Sequence, residues 1–173
     1  MISIIAGKYK GRKLYDVKDL HVRPTQAKVR KSVFQILEPF DGMRVLDLYA
    51  GVGTLGIEAM SRGATRVVFV ENNRPVFKVL KKNIELFEPD QCDLFLTDAL
   101  QFLTRTKNQY FDIIFADPPY TKVGFQSIKE KVERKLKSGG IFCMEMKKEP
   151  IDEENVRIKH YGSTQMVFWR SAA

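Results

Sequence analysis

Five short apolar runs recur along this chain with helix-forming segments between them: Met43 to Leu48, Arg66 to Val70, Asp93 to Leu96, Phe111 to Ala116 and Ile141 to Met146. Runs of this length, rich in Val, Ile, Leu and Phe, read as buried strands. The intervening stretches carry apolar residues at helical spacing, clearest in Phe125, Ile128, Val132 and Leu136. Strand and helix in regular alternation close most simply as a parallel sheet, built from right-handed crossovers and covered by helices on both faces. Ligands of such sheets bind beyond the carboxyl ends of the strands, so chemistry is expected there.

The chain of 173 residues has room for one substantial core. Two β-prone runs, Val156 to His160 and Thr164 to Trp169, flank Tyr161-Gly162-Ser163 and predict an antiparallel hairpin on the sheet edge. Near the start, Ser3 to Ala6 and Lys13 to Val17 flank Gly7 to Arg12 and predict a second, small β-hairpin. Thr25, after Pro24, suits the N-cap of a helix through Leu37. The expected organisation is an extension over residues 1–25 and one α/β domain over residues 26–173.

No apolar stretch approaches the roughly 20 residues of a membrane helix, and the N-terminal run is too short for a signal peptide. A cytoplasmic monomer with no membrane partner is expected. Cys92 and Cys143 lie apart inside apolar runs, while His21 and His160 are isolated. No metal site is expected from them.

The net charge of +8 is unevenly placed. Lys8, Lys10, Arg12, Lys13, Lys18, Arg23, Lys28, Arg30 and Lys31 face only Asp16 and Asp19 in the first 31 residues, which leaves the other 142 nearly neutral. A concentrated positive segment creates a field suited to a polyanion such as nucleic acid, although a solvated basic arm has the same composition.

Asp47-Leu48-Tyr49-Ala50-Gly51-Val52-Gly53-Thr54-Leu55-Gly56 follows the first run and opens a helix, and Glu71 ends the next run. Glycines at 51, 53 and 56 let the backbone turn tightly near a ligand, and an acidic group after the second strand accepts hydrogen bonds from ribose hydroxyls. The same spacing is a dinucleotide fingerprint, so the glycines do not choose among adenosine cofactors. Asp47 favours one of them. A carboxylate there repels a pyrophosphate and attracts the ammonium and sulfonium of S-adenosylmethionine. Asp98, after the third run, is positioned either to accept from the adenine amine or simply to cap a helix.

Asp117-Pro118-Pro119-Tyr120 follows the fourth run. The two prolines fix φ and supply no N–H, which suits a rigid turn presenting the Asp117 carboxylate and the Pro118 carbonyl as acceptors. Two such acceptors can grip the N–H bonds of an exocyclic amine and aim its lone pair at a methyl donor, while the carboxylate stabilises charge developing on nitrogen. Tyr120 offers a ring on which an extruded base could stack.

Together these residues resemble the RsmD family, bacterial enzymes that methylate the N2 amine of a guanine in small-subunit 16S ribosomal RNA. The resemblance spans nearly the whole chain. It rests on Ile5-Ala6-Gly7-Lys8-Tyr9-Lys10-Gly11-Arg12-Lys13-Leu14, on Arg23-Pro24-Thr25 with Val29-Arg30, on the glycine loop through Ser61-Arg62-Gly63-Ala64, and on Glu71 and Asp117 to Tyr120. It implies a Rossmann-like class I methyltransferase fold, a mostly parallel sheet with a C-terminal antiparallel hairpin and a small N-terminal β-hairpin. By the same likeness Asp47, Gly51, Gly53, Glu71 and Asp98 would bind S-adenosylmethionine and its product S-adenosylhomocysteine, and Asp117, Pro118 and Tyr120 would hold the guanine. Lys8, Lys10, Arg12, Lys13, Arg23 and Arg30 would face RNA, in a partly assembled small subunit with its ribosomal proteins. Lys31, Val52 and Asn73 depart from the family pattern. A DNA adenine-amine methyltransferase shares the cofactor loop and acceptor tetrapeptide but usually carries an added recognition domain. A non-catalytic RNA-binding assembly factor would have no need of Asp47, Glu71 and Asp117.

Overall fold

The structure, a computed structural model, describes residues 1–18, 25–119 and 124–173. Arg23 and Tyr120 lie outside the described residues. The seven-stranded sheet contains β3 (Arg44–Leu48), β4 (Arg66–Glu71), β5 (Cys92–Leu96), β6 (Phe111–Ala116), β7 (Leu136–Lys147), β8 (Val156–Tyr161) and β9 (Thr164–Arg170), in the order β5-β4-β3-β6-β7-β9-β8. The strands from β5 to β7 are parallel, while β9 runs antiparallel to both β7 and β8. Gly162 makes the turn between β8 and β9 at φ 57°, the left-handed region that a two-residue hairpin turn demands.

Helices cover both faces. On one face lie α1 (Ala27–Leu37), α2 (Thr54–Ser61) and α3 (Arg74–Glu85), packed on Val45, Phe69, Phe115 and Cys143. On the other lie α4 (Ala99–Arg105) and α5 (Phe125–Val132), packed on Leu46, Leu48, Ile114, Phe142 and Met144. The alternation of the two sets along β3, β6 and β7 follows from the two-residue period of a strand. Among the described residues no helix is long and apolar enough to cross a membrane.

Three expectations need correction. Gln26, not Thr25, occupies the N-cap of α1, and Thr25 turns its hydroxyl toward carboxylates. The helix predicted to include Leu136 stops at Val132. A 3₁₀ turn over Glu133–Lys135 follows, and Leu136, which shares the apolar face in sequence, is the first residue of β7.

The N-terminal hairpin is also shorter than predicted, only β1 (Ile2–Ser3) against β2 (Lys13–Leu14). Its neighbours bond to side chains instead of a ladder. Ile5 and Ala6 donate their N–H groups to Glu58, and Tyr15 donates its own to Asn83 Oδ1. Ile2, Ile4, Tyr9 and Leu14 join the core beneath α1, α2 and α3.

Candidate active site

The loop after β3 turns on Tyr49 at φ 56°, Gly51 at 59° and Gly53 at 96°. Gly53 is the N-cap of α2 and has no side chain to cap it. Asp47 takes over that task from β3, its Oδ2 accepting the N–H of Gly56 at 2.9 Å. The glycines therefore divide their labour. A Cβ on Gly56 would lie 2.2 Å from the Phe69 ring, and one on Gly53 would lie 2.7 Å from Leu80 Cδ1, so these two serve packing of helix against sheet. Gly51 donates its N–H to Glu71 Oε2 at 2.8 Å, while Asn73 donates its N–H to Oε1 at 3.0 Å. Glu71 thereby ties the first loop to the start of α3, where the Asn73 side chain caps the helix by accepting from Val76. Val52 is buried, and its carbonyl accepts from Asn83 Nδ2.

These loops, with Asp117, Pro118 and Pro119, wall a cavity of about 350 Å³ at the carboxyl edge of the sheet. Asp16, Asp47, Glu71 and Asp117 line it, and among the described residues no Lys or Arg does. Asp47 is 2% exposed. Burial, and to a smaller degree Asp117 and Glu71, hold its carboxyl well above the usual range despite the Gly56 hydrogen bond. Burial likewise pushes Asp117 up to about 8, with Glu145 adding to the rise and the Thr25 hydroxyl opposing it. A volume of this size suits a small-molecule ligand. A wall of carboxylates without a compensating cation suits a positively charged one.

Asp117 has a neighbour that the sequence did not reveal. Phe115 pairs with Cys143 and Ala116 with Met144, so the parallel register carries Asp117 alongside Glu145, on the face shared by Phe115 and Cys143. The Thr25 hydroxyl joins the pair, 3.1 Å from Glu145 Oε2 and 3.5 Å from Asp117 Oδ2. The available signal was Cys143-Met144-Glu145-Met146, an acid at an inward position of an apolar strand. Tyr49, Asn72 and Asn73 are further lining residues that local sequence signals did not mark.

Asp47, Gly51, Glu71, Asp117 and Pro118 thus converge on one cavity. Asp98 does not line it; it caps α4, accepting from the N–H groups of Leu100 and Gln101. The basic residues do not converge. Arg30, expected to face RNA, is 3% exposed, with its guanidinium donating to the Ser3 carbonyl and lying 3.7 Å from buried Glu58. That expectation is corrected, since a guanidinium enclosed in the core cannot meet a phosphate. Lys8 pairs with Glu88 at 2.8 Å, and Arg12 donates to the Leu86 carbonyl and stacks on Phe87. Lys10 and Lys13 are exposed. The Gly7–Arg12 turn rests on Ser61 and on residues 86–88, at the carboxyl ends of α2 and α3, whose amino ends border the cavity. The length of α3 sets that separation at roughly 18 Å, from 1.5 Å per residue.

A sequence family described as conserved hypothetical protein 95 matches residues 2–170. The chain is 34% identical over 177 residues to a Haemophilus influenzae protein named ribosomal RNA small subunit methyltransferase D, covering 98% of this chain and 92% of that one. It is 40% identical over 120 residues to a Buchnera aphidicola protein of the same name, covering 69% of this chain but only 63% of that one. The structure of the Escherichia coli protein yhhF superposes with a TM-score of 0.87 at 30% identity, over 99% of this chain and 98% of that chain. A Salinibacter ruber RNA methyltransferase in complex with S-adenosyl-L-homocysteine shares the fold alone, at 16% identity and a TM-score of 0.67 over 87% of this chain and 94% of that one.

Proposed function

Because the chain belongs to the conserved hypothetical protein 95 family, the RsmD family of ribosomal RNA methyltransferases, we propose that it transfers a methyl group from S-adenosylmethionine to the N2 amine of a guanine in 16S ribosomal RNA. The observation that carries this reading is the cavity between the glycine loop and Asp117-Pro118-Pro119, lined by four carboxylates and, among the described residues, by no basic side chain. A dinucleotide pyrophosphate would meet only repulsion there. The fit to S-adenosylmethionine is electrostatic: its ammonium and sulfonium are the charges these carboxylates lack.

When bound, S-adenosylmethionine supplies an electrophilic methyl group. The chain's part is to hold and orient. Asp47 and the loop through Gly51 would receive the cationic amino-acid end, and Glu71 would accept from the ribose hydroxyls. Gly53 shapes the loop that presents Gly51, while Asp98 is assigned the adenine amine as its donor. Asp117 and the Pro118 carbonyl would accept the two N–H bonds of the guanine amine, pyramidalising nitrogen and turning its lone pair toward the methyl carbon. Tyr120 is assigned the face of the base. Alignment of two held reactants contributes up to about 7 to 11 kcal/mol, so no strong base is needed. The amine proton leaves through the Asp117 carboxylate or water after transfer.

Lys8, Lys10, Arg12, Lys13 and Arg23, on the extension over residues 1–25, are proposed to meet RNA away from the target nucleotide, in a partly assembled subunit acted on by a monomer. The test is methyl transfer from labelled S-adenosylmethionine to small subunits from cells lacking the gene, followed by mapping of the modified base. Label in N2-methylguanine of 16S RNA is the expected result. Label in duplex DNA alone would make the chain an adenine-amine enzyme. Calorimetry that detects no binding of millimolar S-adenosylmethionine would make it an assembly factor without catalysis.

A further inference from the structure

Two carboxylates side by side at the end of adjacent strands are costly unless something with adjacent donors lies against them. Asp117 and Glu145 are such a pair, joined through Thr25. Each belongs to a different hollow. Asp117 lines the cofactor cavity, whereas Glu145 lines a second cleft of about 570 Å³ between α1 and the β8–β9 hairpin, together with Lys28, Ser32, Lys159, His160 and Tyr161. The cleft thus has a carboxylate within it and two lysines in its walls, with Lys159 donating to Ser32 Oγ at 2.8 Å. Anionic phosphate suits the walls, and a base edge that donates hydrogen bonds suits Glu145.

We propose that Glu145 reads the acceptor base, accepting the N1–H of a guanine whose 2-amine is held by Asp117, and that the nucleotide enters through the α1/β8–β9 cleft. The inference rests on the methyltransferase reading above and adds to it the basis of base choice. An ionised carboxylate only accepts. Guanine presents N1–H and the 2-amine next to one another, two neighbouring donors for two neighbouring carboxylates. Adenine presents a lone pair on N1 beside its 6-amine, so Glu145 would oppose lone pair to lone pair. Sites built to bond a substrate N–H reject the analogue lacking it by large factors, because the partner group is left unpaired.

The decisive substrate is 2-aminopurine, which keeps the 2-amine and replaces N1–H by a lone pair. The methylated position is mapped with wild-type protein, and subunits are reassembled on 16S RNA carrying guanine or 2-aminopurine there. Wild type is expected to prefer guanine by at least about 100-fold in kcat/KM. Glu145→Gln, whose amide can donate to N1, is expected to lose about tenfold or more on guanine, to narrow the preference at least tenfold, and to bind S-adenosylmethionine as before.

Because 2-aminopurine also lacks O6, the change in preference on substitution is the deciding figure. An unchanged preference in folded Glu145→Gln overturns the inference and leaves Glu145 as a structural partner of Thr25. Should the variant fail to fold, wild-type acceptance of 2-aminopurine within threefold of guanine overturns it, and rejection by 100-fold sustains it. Failure of wild type to methylate any 16S guanine sinks the functional reading itself, a separate result.

Discussion

Asp117 carries two consequences that solution measurements can separate. Its carboxyl is raised to about 8 by burial and by Glu145, against about 3.9 in an unfolded chain. Folding therefore favours the protonated form. The stability this contributes is complete below about pH 4 and is lost as pH rises through about 8. Melting temperatures from pH 5 to 9 should fall in wild type more steeply than in Asp117→Asn; parallel slopes would remove Asp117 as their source. A bound cation reverses the balance, so S-adenosylmethionine should bind more tightly as pH rises toward 8, with protons released in calorimetry. Asp117→Ala is expected to abolish nearly all turnover at similar cofactor affinity, and wild-type turnover would end its assigned role. Gly56 illustrates a purely steric constraint. A methyl group there would stand 2.2 Å from Phe69, and Gly56→Ala should cost about 1 to 3 kcal/mol in urea unfolding. A cost below about 0.5 kcal/mol, the ordinary range for an unconstrained site, would show that Phe69 yields freely.

Among the elements, the N-terminal segment is held by side chains of α2 and α3. Glu58 is fully buried and accepts from the Ile5 and Ala6 N–H groups and from Arg62 Nε, with Arg30 nearby. Ser61 accepts from Tyr9 N and donates to the Ala6 carbonyl. Asn83, also fully buried, bonds both backbone groups of Tyr15 and the Val52 carbonyl, so one side chain links the N-terminal segment to the cofactor loop. Glu58→Gln removes the charge that both arginines face, and breaking a buried pair of this kind costs about 3 to 5 kcal/mol. Equilibrium unfolding should register that cost, and amide exchange at residues 5 and 6 should quicken. Unchanged exchange would assign the hold on this segment to its apolar residues alone.

Over the molecule as a unit, charge is sorted by place more than by amount. The cofactor cavity is acidic, the α1/β8–β9 cleft is lined by two lysines, and the Gly7–Arg12 turn lies at the far ends of α2 and α3. RNA bound at the cleft alone would ignore that turn, whereas RNA spanning the molecule would use both. Replacing Lys28 and Lys159 by Ala should weaken RNA binding and reduce the slope of log affinity against log salt by roughly 0.7 to 0.9 for each phosphate no longer neutralised. A matched Lys10 and Lys13 pair probes the distant turn in the same assay. An unchanged slope in the first pair would remove the cleft from the RNA path, and one in the second would return the turn to an ordinary solvated surface.

The strands, the parallel sheet with its closing hairpin, and the cavity residues Asp47, Gly51, Glu71, Asp117 and Pro118 were all legible in the amino-acid order, because each is written locally. Hydrophobic period marks strands and helices, and chemistry follows at strand ends within a few residues. Local signals also misled where a residue had two uses. Thr25 is a good cap in isolation yet faces two carboxylates, Leu136 continues a helical pattern yet opens β7, and Arg30 adds to a basic count yet neutralises buried Glu58. These outcomes came from packing in three dimensions, as did the pairing of Asp117 and Glu145, residues 28 positions apart in the chain. Strand register sets which side chains meet across a sheet, and register is fixed by the packing of whole faces rather than by any neighbour in sequence.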